Sequence, residues 1–377
     1  MKKKKLLIVG DFISGSGLTQ FIFNIFPYFD KNKFKIQCVG YGVDQTQEVN
    51  YRCQKLGWHL DRVMPITKHP LEHIKWCRSF FKKNDFDFIY FNYSSSWNYI
   101  PLKLAKRYTH AKIVCHSHSV YYSHTFNNKI LMKLLDRLNS KGKKVFDKDA
   151  DLKLATSKDA ALWMFATLKG VVIVNNGIEL DRYKFDKVAR KKLRASLDIA
   201  TDEKLIGFAG VLREQKNPLF AIKIFANYLQ KNPKSTLLII GRGPLKNEIK
   251  KTVKGLKLSK KVKFIEYTSE LNKWYSAMDI LLFPSLHEGF GLVPLEAQVS
   301  NLQILASNNI ASRVFVTKNI NKISNFEEGS WNKALKNLKV KTEEQRNELN
   351  PLLEEFDVKR QVAKISNLLE SETKEEL

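Results

Sequence analysis

Two carboxylates and two glycines in the stretch Pro284-Ser285-Leu286-His287-Glu288-Gly289-Phe290-Gly291-Leu292-Val293-Pro294-Leu295-Glu296-Ala297 carry the strongest chemical signal in the chain. The stretch follows a short aliphatic run and leads into a helical pattern. Its glycines therefore predict a strand-to-helix turn, where free backbone N–H groups and the positive helix end face a ligand phosphate. Glu288 and Glu296 are eight residues apart. Even fully helical, that spacing is a rise of about 12 Å, too far to serve one atom. The pair is expected to grip opposite ends of an extended ligand. A nucleotide-sugar fits, with the N–H groups of Gly289, Phe290, Gly291, Leu292 and Val293 on the diphosphate, Glu288 toward the sugar and Glu296 accepting from ribose hydroxyls. The plainer alternative is a first-turn acid at Glu288 and a solvated helix residue at Glu296.

A second loop, Gly210-Val211-Leu212-Arg213-Glu214-Gln215-Lys216-Asn217-Pro218, also lies between a strand pattern and a helix pattern. A lysine there can meet a diphosphate as a point charge and stabilise a leaving group as its charge grows. Two loop cations in a Lys-rich chain are the ordinary reading of Arg213 and Lys216. Near the start, Gly15-Ser16-Gly17-Leu18-Thr19-Gln20 follows the first strand pattern, but Gln20 takes the third glycine position of a dinucleotide fingerprint, which argues against NAD. His116 and His118, two apart on a strand, point the same way, yet no nearby carboxylate or cysteine completes a metal set. Asp85-Phe86-Asp87 sits just before a strand, where Asp is ordinary loop punctuation.

The Glu288–Glu296 stretch closely resembles the Glu-x7-Glu motif of retaining GT-B glycosyltransferases, specifically glycosyltransferase family 4, and the resemblance covers nearly the whole chain. It implies an α/β fold of two Rossmann-like, doubly wound domains facing a central cleft. Within it, Glu288 matches the residue beside the donor sugar and Glu296 the one that holds the ribose. Lys216 matches the family's loop lysine, whereas Val211 stands where the family has Arg, so that either Arg213, two residues away, supplies the charge or donor activation is weakened. Ser16-Gly17 matches a Gly-Gly turn that approaches the donor phosphate or acceptor, and His118 matches a histidine contacting sugar hydroxyls. Asn176-Gly177-Ile178-Glu179 to Tyr183 resembles the interdomain segment, and Gly241-Arg242-Gly243-Pro244 with Tyr267 to Leu271 the segments that cradle the base. Gln298-Val299-Ser300-Asn301 departs from the family's small ending, and Gln303 replaces a common Pro, differences that concern packing.

By this resemblance the chain is a hexosyltransferase that moves a sugar from a nucleotide-sugar, a UDP-sugar first, to a saccharide or lipid-linked acceptor in capsule or exopolysaccharide assembly. Retention is implied, with the acceptor attacking from the leaving-group face and the departing phosphate taking its proton. Glu288 and His118 then serve sugar positioning and electrostatics and Lys216 the leaving group, with no metal and no cofactor. The Val211 departure leaves open a non-catalytic GT-B subunit that binds nucleotide or a partner transferase.

The elements that must position these residues alternate short aliphatic runs with helical patterns, the mark of parallel sheets wrapped by helices. Strands are expected at residues 5–9, 34–39, 88–91, 112–116, 152–155 and 171–174, and again at 205–209, 236–240, 262–265, 280–283 and 304–306. Helices are expected at 17–29, 71–82, 218–230 and 244–254, among others. The Asn175-Asn176-Gly177 turn signal sets domains of 1–175 and 176–350. A last helix in 351–377, apolar at Val358, Val362, Ile365 and Leu369, is expected to pack back on the first domain.

At 377 residues, 44% hydrophobic, the chain has the bulk for two globular domains. Its formal charge is +26, and the acidic stretch 341–377 leaves a net +30 on the remainder. Such a field attracts polyanions or anionic lipid headgroups. Nucleic acid is disfavoured because no recognition motif or aromatic platform accompanies the charge. The run Asn128 to Leu138, continuing into Lys141, Lys143 and Lys144, reads either as a basic amphipathic helix for an anionic membrane face or as a core helix with a solvated basic side. Cys38, Cys53, Cys77 and Cys115 are widely spaced, which fits a reducing cytoplasm. The apolar run after Lys2-Lys3-Lys4-Lys5 stops at Gly10, short of a signal sequence, and no run is long enough to span a bilayer.

Overall fold

Leu6-Leu7-Ile8-Val9 is apolar at every position, which suits a strand covered on both faces. In the computed structural model its side chains alternate between two cores, Leu6 and Ile8 in one and Leu7 and Val9 in the other. The structure describes residues 3–42, 47–122, 128–288, 290–348 and 350–371. The chain divides into two units, Met1–Gly177 with Val358–Leu377, and Ile178–Asp357.

The first unit holds β1 (Lys4–Gly10), β2 (Phe34–Tyr41), β3 (His59–Val63), β4 (Phe88–Tyr93), β5 (Lys112–Ser117), β6 (Leu152–Ala155) and β7 (Val171–Ile173). They form one parallel sheet in the order β3-β2-β1-β4-β5-β6-β7. The second holds β8 (Lys204–Ala209), β9 (Ser235–Ile240), β10 (Val262–Ile265), β11 (Ile280–Phe283), β12 (Gln303–Ser307) and β13 (Ile320–Ile323). Their order is β10-β9-β8-β11-β12-β13, again parallel. In each sheet the strand order reverses once, between β1 and β4 and between β8 and β11. Such reversals are where open α/β sheets receive ligands, at the carboxyl ends of the strands.

The edge strands β3 and β13 are absent from the sequence expectation. Each has one well-covered face at most, and their polar residues, His59, Asp61, Arg62, Asn321 and Lys322, hide the apolar period. The helix expected over 17–29 ends at Ile25 and tightens into a 3-10 turn, Phe26–Tyr28, because Pro27 donates no N–H and clashes with the preceding turn.

The first unit runs two residues beyond the expected boundary, to Gly177, and the reason is close packing. A Cβ on Gly177 would lie 2.8 Å from Ile25 Cδ1 and 3.0 Å from Val358 Cα. Residues 351–357 belong to the second unit rather than to the C-terminal segment. Leu353 and Phe356 of the 3-10 segment Pro351–Phe356 are fully buried in its core. The helix Val358–Ser371 returns to the first unit, where Val358, Ile365 and Leu369 join the core and Gln361 Oε1 accepts from Asn175 N at 3.0 Å.

A buried polar knot fixes the reversal of the second sheet. Asp279, just before β11, accepts from Leu205 N at 2.7 Å and donates its own N–H to Leu205 O at 2.8 Å. Its carboxylate also pairs with Arg190 at 2.6 Å and Arg194 at 3.0 Å. Arg190, Arg194 and Arg346 together donate to the carbonyls of Tyr275, Ser276, Ala277 and Met278, which end the helix Leu271–Ala277. Burial, then the neighbouring Arg190, holds the Arg346 guanidinium down to about 9.

No helix among the described residues is long and apolar enough to cross a membrane. The helix Lys129–Asp149 buries Leu135, Asn139, Gly142 and Phe146, and exposes Ile130, Leu131 and Leu134 at 78%, 44% and 52%.

Because Ile365 is fully buried, Ile365→Ala is expected to lower the stability of the first unit by about 2–5 kcal/mol. The exposed Arg360→Ala on the same helix should change it by no more than about 0.5 kcal/mol. Urea unfolding followed by circular dichroism reads both; equal midpoints for the two variants would contradict the assigned packing.

Candidate active site

Two loops leave the reversal of the second sheet, residues 210–217 after β8 and 284–291 after β11. They are tied to each other by Leu286 N, which donates to Gln215 O at 2.7 Å, and by Gln215 Nε2, which donates to His287 O at 2.8 Å. Glu288 N donates to Asn309 O at 3.0 Å, in the loop after β12. The first loop is also backed by the turn after β9, since Leu212 N donates to Arg242 O at 2.9 Å. A side chain at Gly241 would run into the Gly210 carbonyl, and one at Gly243 into the Leu212 backbone. These two glycines are required by approach.

On this frame Lys216 Nζ forms an ion pair with Glu288 Oε1, the side chains being 15% and 10% exposed. The ammonium also lies 5.3 Å from the centre of the Phe283 ring. The two charges singled out by loop position therefore meet, in a half-enclosed setting where their attraction is stronger than in water. Arg213 is exposed on the same loop, and Val211 is half-buried.

The helix Leu292–Val299 begins at Gly291, whose φ of 99° is left-handed and favours glycine. It has no side-chain cap and no acid in its first turn, so its leading N–H groups are not met by a capping side chain. Leu292 and Val293 are half-buried, and the Phe290 ring is buried in the core against Phe356. A role for Phe290 in ligand contact is thus confined to its backbone. Gly289 lies outside the described residues.

Glu296 is not a solvated helix residue, for it is 7% exposed. Tyr183 Oη donates to its Oε1 at 3.0 Å and Tyr275 Oη to its Oε2 at 2.9 Å. Burial pushes the carboxyl upward from its ordinary value; the Tyr275 and Tyr183 hydroxyls and the Arg182 charge act against that. Two residues on, Gln298 is fully buried and uses its whole amide. Nε2 donates to Pro294 O and Val314 O, and Oε1 accepts from Val316 N, Thr317 N and Thr317 Oγ1. The departure from a small residue noted at this position is thereby a stitch between the site helix and residues 314–317.

In the first unit, Ser16 precedes the helix Gly17–Ile25 without capping it, and its hydroxyl donates to Asp11 Oδ2 at 3.0 Å. Gly17 is exposed, with open space where a side chain would stand. His118 is 7% exposed, its ring 4.4 Å from that of Phe21 and 4.0 Å from that of His116. Burial, partly offset by Asn176, holds it down to about 3. It is a neutral imidazole near neutral pH, so the electrostatic part of its expected role falls away and hydrogen bonding remains. His118 Nε2 has no hydrogen-bond partner among the described residues. His116 is occupied by Tyr90, at 2.6 Å from Nδ1. Among the described residues no group of three or more His, Cys, Asp or Glu side chains is placed to hold a metal ion.

The sequence reading missed Tyr275, the arginine knot and the bonding of Gln298. Tyr183 lay in a noted segment without a role. Exposed Tyr267 lies beneath the Arg242 guanidinium at 5.2 Å, which brings together the two segments named for the base.

Residues 15–182 match the family described as Glycosyltransferase Family 4, and residues 189–350 match Glycosyl transferases group 1. EpsF of Bacillus subtilis (strain 168) is 26% identical over 83% of this chain and 81% of its own length. LpsB of Rhizobium meliloti (strain 1021), a lipopolysaccharide core biosynthesis mannosyltransferase, is 29% identical over 44% of this chain, and the match spans about half, 48%, of LpsB. The crystal structure of Anabaena Alr3699/HepE in complex with UDP and glucose superposes with a TM-score of 0.75, covering 98% of this chain and 100% of that one at 18% identity, which is a likeness of fold. The chain is a glycosyltransferase of the GT-B fold, in which a Glycosyltransferase Family 4 domain is followed by a Glycosyl transferases group 1 domain.

Proposed function

We propose that the second unit binds a nucleotide-sugar, a UDP-sugar first, and that the enzyme transfers its hexose with retention to a saccharide acceptor carried on a lipid, in capsule or exopolysaccharide assembly. The observation that carries this reading is the meeting of Lys216 and Glu288 at the sheet reversal, one turn of chain before an uncapped helix that holds Glu296. A cation, an N-terminal helix dipole and two carboxylates at different depths suit a ligand with a diphosphate in the middle and hydroxyl-rich groups at both ends. UDP and glucose in the Anabaena complex, and the mannosyl transfer named for LpsB, support the ligand class.

In this reading the diphosphate draws Lys216 away from Glu288 as donor binds. Glu288 then accepts from sugar hydroxyls and faces the cationic character that develops at the anomeric carbon. Lys216, Arg213 and the N–H groups at Phe290 to Val293 offset the charge growing on the leaving diphosphate, which removes the need for a divalent metal. His118, as a neutral hydrogen-bonding group, orients a sugar hydroxyl. Ser16 and Gly17 offer an open backbone approach in the first unit. The departing phosphate takes the acceptor proton, which gives retention without a dedicated base.

The same proposal places the first unit against an anionic lipid surface. The outward side of the helix Lys129–Asp149 joins exposed Ile130, Leu131 and Leu134 to exposed Lys129, Lys133, Arg137 and Lys141. An aliphatic strip flanked by basic side chains is what an acidic bilayer surface attracts and then solvates.

Glu288→Ala or Lys216→Ala is expected to cut transfer from a UDP-sugar at least about tenfold with the fold intact by circular dichroism. Unchanged turnover in both would remove these loops from the chemistry. Sedimentation with vesicles should show binding to phosphatidylglycerol but not to neutral lipid, falling with salt. The triple change Ile130→Ser, Leu131→Ser, Leu134→Ser should weaken it about tenfold or more. Equal affinity for neutral and acidic vesicles would dismiss the membrane reading and leave the transfer reading standing.

A further inference from the structure

Both oxygens of Glu296 are already held before any ligand arrives. Tyr183 approaches Oε1 from the short helix Leu180–Tyr183, and Tyr275 approaches Oε2 from the helix Leu271–Ala277. We propose that Tyr183 and Tyr275 are positioning residues that fix Glu296 as an ionised, two-oxygen acceptor for the vicinal diol of a ribonucleotide. The inference rests on the reading above in which Glu296 meets the ribose.

A carboxylate has roughly four lone-pair directions, about two on each oxygen. One phenol on each oxygen leaves one acceptor direction on each, which is the set that two neighbouring hydroxyls require. Had both tyrosines met the same oxygen, the other alone would face the ligand. The phenols themselves are rigidly placed. Tyr275 is fully buried and its carbonyl accepts from Arg346 Nη2 at 2.8 Å, while the Tyr183 ring lies 6.2 Å from that of Tyr275.

Ionisation is the second part of the arrangement. A buried carboxylate without donors favours its neutral form, and a protonated carboxyl exchanges an acceptor for a donor. Burial pushes both phenols above their ordinary range, so each remains a hydroxyl able to donate. Among the titratable and charged groups on the elements packed against Glu296, Tyr275, Tyr183 and Arg182 are those that favour its charged form. Removing a phenol raises the carboxyl further. The acceptor form is then complete only at higher pH and is lost as pH falls through the raised value.

The test is calorimetric binding of UDP and 2′-deoxy-UDP to the full chain between about pH 5 and about pH 9, for the wild type and Tyr183→Phe, Tyr275→Phe and Glu296→Gln. The wild type is expected to prefer UDP by about tenfold, and Glu296→Gln to lose that preference at every pH. Each Phe variant keeps the ring and is expected to bind UDP about tenfold more weakly at the acid end and to recover toward the alkaline end. Phe variants with the wild-type pH profile, or with a loss that is uniform in pH, overturn the proposal while Glu296→Gln still shows the ribose contact. Full affinity and preference in Glu296→Gln, or no nucleotide binding by the wild type, sinks the ribose reading beneath it.

Discussion

The buried carboxylate of Asp279 is the constraint on which the second unit is built. It sits at the starting ends of the neighbouring strands β8 and β11, accepts the backbone N–H of Leu205, and is paired with two arginines from the helix Lys187–Ser196. A lone buried carboxylate is costly, but here both oxygens have donors, and the same arginines also donate to carbonyls at the end of a neighbouring helix. The result ties one strand, the start of the next and two helices together at the base of the sheet. Both site loops leave the opposite ends of those same two strands, so their separation is inherited from this knot.

Two glutamates, one in the loop before the helix Leu292–Val299 and one within it, live in contrasting environments. Glu288 is balanced by a cation, Glu296 by neutral hydroxyls and more thorough burial. A partner with a full charge can be exchanged for a phosphate, since the ammonium is attracted to either anion. Neutral phenols offer no such exchange and remain with their carboxylate. In the proposed reading the Glu288 end can exchange its partner while the Glu296 end is fixed, which suits chemistry at the sugar and recognition at the nucleoside.

Much of this was legible in the residues. The period of the aliphatic runs located the interior strands, and Lys216 and Glu288 could be picked because each follows a strand and precedes a helix. Their direct contact was not legible, because 72 residues separate them and only the sheet order makes their loops neighbours. Tyr275 was hidden for the same reason, lying at the end of a helix with no local mark of its partner. The edge strands β3 and β13 escaped because half-covered strands carry too few apolar positions to show a period. Residues 351–357 lie in the second unit, past the expected boundary at 350, because Leu353 and Phe356 bury their side chains in its core.

The helix Lys129–Asp149 has its rotation about its own axis settled from within. Ser96 N and Oγ both donate to Asn139 Oδ1 at 3.0 Å, and Gly142 passes so near the Ser96 carbonyl that no side chain fits there. Turning the helix would break those bonds and drive a larger flank into the backbone. Its greasy side is therefore on permanent display instead of being unveiled by a trigger. Under the proposed membrane reading, adhesion through it would need no rearrangement of this helix.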